Sequence, residues 1–280
     1  MTAPAPTPTP TPAPPYGYVS PIPVRRAHLG DALASEWTKI RSVRSTVWTL
    51  GTMVVLMLVI GLGVAAVAAS EGGNMGEESA LPLGFFGMLP ASICVITLGV
   101  LTISSEYGTG MIRTTLTACP SRSRVLTAKA IVFFLLVFTV SLVVAFGVAT
   151  AQVAMVDAAE PTGAEWARAT VGAAGFMALL GLLSMAVGAL VRHSAGAITV
   201  MIGVLLLPLV AALFMFSPAL KGLQEALFTY SVPSQLIALY SARPPFGDSG
   251  PAGWETLLIL AGATAVVLGG AFALLNKRDV

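Results

Sequence analysis

Apolar residues in this chain gather into six runs, near 48–69, 82–103, 129–152, 169–191, 196–216 and 255–275, separated by polar segments of unequal length. Each run reaches about 20 residues, the length of α-helix needed to cross about 30 Å of hydrocarbon. Charged residues stand only at the edges of the runs, as Lys129 and Glu255 do. The pattern predicts an all-α integral membrane protein with six transmembrane helices. Trp48 opens the first run, Trp166 precedes the fourth and Trp254 the sixth, where an amphipathic ring belongs at the headgroup level.

The polar segments carry more individual information than the runs. Residues 1–27 are rich in alternating Pro, Thr and Ala and predict a disordered cytoplasmic tail, either a solvated extension or a ligand for a proline-binding module. Residues 28–280 form the six-helix membrane domain. Its first stretch, HLGDALASEWTKIRSVRSTV, places Leu29, Leu33, Trp37, Ile40 and Val47 near one helical face, with Asp31 in the place of an N-cap. Lys39, Arg41 and Arg44 lie off that face. The stretch is either an amphipathic helix in the inner membrane interface, its basic groups toward anionic headgroups, or a simple basic anchor before the first span.

The segment after the second run, SSEYGTGMIRTTLTACPSRSRVLTAKA from Ser104 to Ala130, is too long for a plain turn. Glu106 ends the second span, Gly108 and Gly110 permit a change of direction, and Met111, Ile112, Thr115 and Leu116 fall on one face of a short helix. Pro120 suits the first turn of the third helix. Arg113 would offer its charge to a protein partner, while Arg122, Arg124 and Lys129 would snorkel to headgroups.

Composition agrees with a lipid solvent: 56% hydrophobic and 10% charged residues, with a mean hydropathy of +0.86. A net charge of +2 gives no footprint for nucleic acid. Charge distribution matters more. Of the 15 basic residues, Arg25, Arg26, Lys39, Arg41, Arg44, Arg113, Arg122, Arg124, Lys129, Arg192, Lys277 and Arg278 fall on alternate segments, against Arg168, Lys221 and Arg243 on the other side. By the positive-inside rule both termini are cytoplasmic, in a plasma (inner) membrane.

The chemistry of the runs is sparse. None holds a mid-depth acid, base or histidine of the kind ion-coupled transporters use. No stretch matches a G-x-x-x-x-G-K-[ST] phosphate loop or a G-x-S-x-G elbow, and His28 and His193 fall in polar segments. No catalytic residue, metal site or cofactor is expected on this chain, and energy for transport would come from another one. Cys94 and Cys119 are expected to be buried or free thiols. Small residues recur at helical spacing in the fourth run (Ala174, Ala178, Gly181, Ser184, Gly188) and the sixth (Ala261, Ala265, Gly269, Ala273), a pattern expected of packing within one subunit.

EWTKIRSVRST before the first span and SSEYGTGMIRTTLTACPSRSRVLTAKA after the second resemble actinobacterial ATP-binding-cassette (ABC) exporter permeases of the type 2 family. In topology the resemblance covers residues 28–280. It implies an interfacial elbow helix at about Asp31–Val47, bearing Glu36, Trp37, Lys39, Arg41 and Arg44. It further implies a coupling helix at about Tyr107–Thr117, with Glu106, Tyr107, Gly108, Gly110, Met111, Ile112, Arg113 and Leu116 as the ATPase-coupling residues. Glu106 would help dock the elbow or the ATPase. Ser217–Gly253, with Pro218, Pro233, Pro244 and Pro245, resembles the re-entrant helices of such permeases. The implied partners are a separately encoded ATPase holding ATP and Mg, a second permease (identical or different), and membrane lipid. The implied function is outward movement of an amphipathic or hydrophobic drug, lipid or peptide; the alternative is a membrane scaffold or sensor that transports nothing.

Overall fold

In the computed structural model, residues 28–71, 78–118, 121–241, 244 and 250–277 are described, and no strand occurs among them. The tail 1–27, Cys119, Pro120, Arg243 and Pro245 lie outside the described residues. Helix α1 (Leu29–Ser42) starts at His28, whose backbone N–H donates to the Asp31 carboxylate at 2.9 Å. Asp31 therefore acts from the third helical position, not as the N-cap itself. At Val43 the backbone turns extended (φ −86°, ψ 111°), and α2 (Arg44–Ser70) begins directly after it. The helix before the first span thus ends at Ser42 instead of Val47, and Arg44 belongs to the span.

A 3-10 turn at Leu81–Leu83 leads into α3 (Gly84–Gly108), followed by α4 (Met111–Ala118) and α5 (Arg122–Met155). Ser121 caps α5, its hydroxyl accepting from the Arg124 amide at 3.4 Å. Across α6 (Gly163–Ala167), a π-helical turn at Arg168–Gly172 and α7 (Ala173–Val191) the chain stays helical. Then come α8 (Ser194–Leu213), α9 (Lys221–Tyr230), α10 (Val232–Tyr240) and α11 (Trp254–Lys277). Six helical segments are long and apolar enough to cross a membrane: Arg44–Ser70, Leu81–Gly108, Arg122–Met155, Gly163–Val191, Ser194–Leu213 and Trp254–Leu275. They coincide with the six apolar runs.

The fourth span is the axis of the bundle. It packs against α3, α5, α8 and α11, and 67% of its most apolar window is buried, against 17% in the sixth span. Close approach requires glycine at the α3 crossing: a methyl group on Gly99 would run into the carbonyl oxygen of Gly181. The stripe Ala174, Ala178, Gly181, Ser184 and Gly188 is buried inside the chain, as packing within one subunit requires. The stripe on the sixth span behaves otherwise. Thr264 donates to Leu179 O at 3.3 Å and Ala271 is buried, whereas Ala265, Gly269 and Ala273 are exposed. Only one face of α11 meets α7, and most of the small residues lie on another.

Ser231 breaks the helix between α9 and α10, and its hydroxyl accepts from the Ser234 amide to start α10. No residue of α9 is buried, while α10 inserts Leu236, Ala238 and Leu239 among α3, α7, α8 and α11. The segment expected to form a re-entrant hairpin thus holds two short helices parted at Ser231, the first exposed and the second packed into the bundle.

Candidate functional site

Four elements meet at the end of the bundle that carries α1 and α4, and they meet through charge. Glu36 and Lys39 come from α1, Glu106 from the last turn of α3 and Lys129 from α5. The Lys129 ammonium, 2% exposed, donates to Glu36 Oε2 at 2.6 Å and to Glu106 Oε1 at 2.9 Å. Lys39 donates to Glu36 Oε1 at 2.8 Å, to Glu106 Oε1 at 3.0 Å and to the Thr115 hydroxyl of α4 at 3.3 Å. Two acids and two lysines thus cancel in formal charge within one buried cluster, which is the condition for leaving any of them away from water.

Electrostatics holds the cluster ionised at its accessible edge. Burial alone would lower the Lys39 pKa, but the hydrogen bonds and charges of Glu36 and Glu106 outweigh it and hold the ammonium above the ordinary lysine value. Glu36 spends both carboxylate oxygens on lysines. Glu106 spends only one, and its Oε2 has no hydrogen-bond partner among the described residues.

Two sequence expectations change here. Lys129 does not snorkel to headgroups. Its helix starts at Arg122, seven residues earlier, so it lies about 10 Å along α5 from that end, where partners from α1 and α3 replace water. Lys39 likewise turns toward the protein and not toward lipid. The inward face of α1 consists of Glu36 and Ile40, whereas Leu29 and Trp37 of the apolar stripe are exposed. Arg41 lies 5.9 Å from the Trp37 ring on that outer side.

Gly108 is the last residue of α3, and Gly110 alone of the two takes a left-handed φ, +73°, to turn the chain into α4. On α4, Ile112 is buried and Thr115 half-buried, while Met111 and Arg113 face outward; the side chain of Leu116 lies outside the described residues. Tyr107 turns away from the cluster toward Arg192, whose guanidinium sits 5.0 Å from its ring. Arg192 ends α7 with a left-handed φ of 56°. Arg122 donates to the Leu275 carbonyl at 2.8 Å, tying α5 to the end of α11, so it too faces the protein. Sequence patterns did not single out the contacts that Lys129, Thr115 and Arg192 make at this end. The one signal for Lys129 was its place two turns into a helix that opens with Arg122.

Residues 32–240, from α1 through α10, match a family model described as ABC-2 family transporter protein. No curated protein matches the chain.

Proposed function

The chain belongs to the ABC-2 family of transporter proteins, and on that premise we propose that this permease component serves an exporter driven by a separately encoded ATPase. The α1 end faces the cytoplasm in this reading, with both termini on that side, in keeping with the excess of Lys and Arg on the segments of that end. The helix α1 serves as the elbow and α4 as the coupling helix. A second permease, identical or different, completes the membrane unit, and the cargo is an amphipathic or hydrophobic drug, lipid or peptide.

One observation carries the mechanism: Lys39 bonds at once to Thr115 on α4, to Glu106 on α3 and to Glu36, which Lys129 of α5 also holds. Displacement of α4 by an ATPase would therefore be felt by the elbow and by two spans together. The outward residues Met111 and Arg113 are the contact surface for that ATPase, because their exposure leaves them free to meet another protein.

The test is a mild-detergent pull-down of the full chain from its host, paired with the Arg113→Glu variant. The expected outcome is recovery of a protein with a phosphate-binding Walker loop and its loss from the variant, with membrane insertion unchanged. Recovery of the intact chain without any ATPase would favour a scaffold or sensor instead.

A further inference from the structure

The spans α2 and α3 touch backbone to backbone where a methyl group on Gly87 would stand 2.8 Å from Met57 O, and they leave a gap between them toward the α1 end. That gap, between the α1–α2 junction and the last turns of α3 with Met111 of α4 at its edge, is a cavity of about 350 Å³, within the size of small-molecule sites. Its wall is rich in hydroxyls. Those of Ser42, Thr49, Thr102, Ser105 and Thr109 donate to carbonyls of their own helices at 2.6–3.0 Å, so only their lone pairs remain to be met. The hydroxyls of Ser45 and Thr46 donate to no described residue, so each keeps a hydrogen as well. Glu36, Lys39, Glu106 and Lys129 border the same space, but they are paired with one another and cancel in charge. The wall is therefore neutral and offers both donors and acceptors. Ile40, Leu98 and Leu101 supply an apolar side.

We propose that this cavity binds an amphiphile with a neutral, polyhydroxylated headgroup, its hydroxyls among those of the wall and its chain along Leu98 and Leu101. Each hydroxyl of a polyol both donates and accepts, so one headgroup gives hydrogens to the spent hydroxyls and takes them from Ser45 and Thr46. A charged headgroup would lose hydration to a wall whose four charges are already matched, and would gain no counter-charge in return. A polyether brings acceptors alone and leaves the spent hydroxyls unmet. Two sources supply the polyol chemistry: the headgroup of a neutral glycolipid from the adjacent leaflet, or a free glycosylated amphiphile. The inference stands whether the chain works with an ATPase or transports nothing.

The experiment is native mass spectrometry of the purified full chain titrated separately with octyl glucoside, its tetra-O-methyl ether and octylphosphocholine. Expected are one specific octyl glucoside per chain and binding of the other two about tenfold weaker or less, the scale of one hydrogen bond. The ether keeps the sugar's acceptors and loses its donors, while octylphosphocholine keeps the chain and carries charge. Thr102→Phe fills the cavity without replacing any of the four charged residues and should abolish specific binding, while Thr102→Ser retains it. Failure of the wild-type chain to retain octyl glucoside overturns the proposal. Equal binding of the glucoside and either analogue overturns it too, even if Thr102→Phe fails to fold, and so does unchanged binding by a folded Thr102→Phe. Repeating the titration in phosphatidylcholine nanodiscs with and without monoglucosyldiacylglycerol separates the sources: competition by that lipid assigns the site to lipid, and its absence assigns it to the free amphiphile.

Discussion

The two ends of the bundle are fastened by different forces. At the α1 end, two carboxylates and two ammoniums, nearly all out of water, tie α1, α3 and α5 together and reach α4 through Thr115. At the opposite end the ties are neutral. Gln152 of α5 donates to Gly61 O of α2 at 3.0 Å, Gln224 of α9 to Ala212 O at the end of α8, also at 3.0 Å, and Gln235 of α10 to Thr229 O at 2.8 Å. The one ion pair described there, Lys221 with Glu225 at 3.7 Å, is largely exposed. Neutral bonds fail one at a time, each alone. A compensated charge cluster fails as a unit, because losing any member strands the others without water. Such all-or-none coupling suits the end proposed to receive a push from outside the membrane.

The largest effect that could break this comparison is at Lys129. Lys129→Met should destabilise the chain by about 3–5 kcal/mol, since it leaves two buried carboxylates to one lysine. Thermal unfolding in detergent measures it. Replacing Glu36, Lys39, Glu106 and Lys129 together by uncharged residues of similar size should recover much of that loss. If the single variant is no less stable than wild type, the cluster is not a unit and the contrast between the ends disappears.

At the neutral end, Gln152→Leu should cost about 1–3 kcal/mol through the lost bond to Gly61 O, read in the same melt. A larger loss there than at Lys129 would reverse the comparison. Smaller still, Lys221→Ala should stay within about 0.5 kcal/mol, because both partners are mostly in water and screened. The smallest effect concerns pH. With its pKa held above the usual lysine value, Lys39 contributes its full stabilisation below about pH 10.4 and loses it only as pH rises through the elevated value. Melting points between pH 7 and pH 9 should therefore show no change that Lys39→Met removes.

Much of the fold was legible because it is written locally. A run of about 20 apolar residues specifies a spanning helix whatever its neighbours do, since every backbone group is satisfied within the segment. Two breaks were legible for a similar reason: Gly110, with its left-handed φ, and Pro218, opening a 3-10 turn, act on their own backbone. Of the candidate site, Glu36, Lys39 and Glu106 were identified from two stretches of sequence, yet their mutual contact was not. Lys129 was placed among the headgroups because a lysine at the edge of an apolar run ordinarily snorkels there.

The face of each helix escaped the sequence for a further reason. In water an apolar stripe points inward, but beside lipid it is equally at home outward, as Leu29 and Trp37 of α1 are. Hydropathy likewise could not separate the buried small residues of α7 from the exposed ones of α11, because lipid and protein interior are alike to both. The sequence by itself determined the number, length and order of the membrane helices and the excess of basic charge on one side, all properties of contiguous residues against their solvent. Only the tertiary structure decided that Lys129 meets Glu36, 93 positions away. A buried charge is stable solely where partners from other helices replace its water, and that depends on how the helices pack.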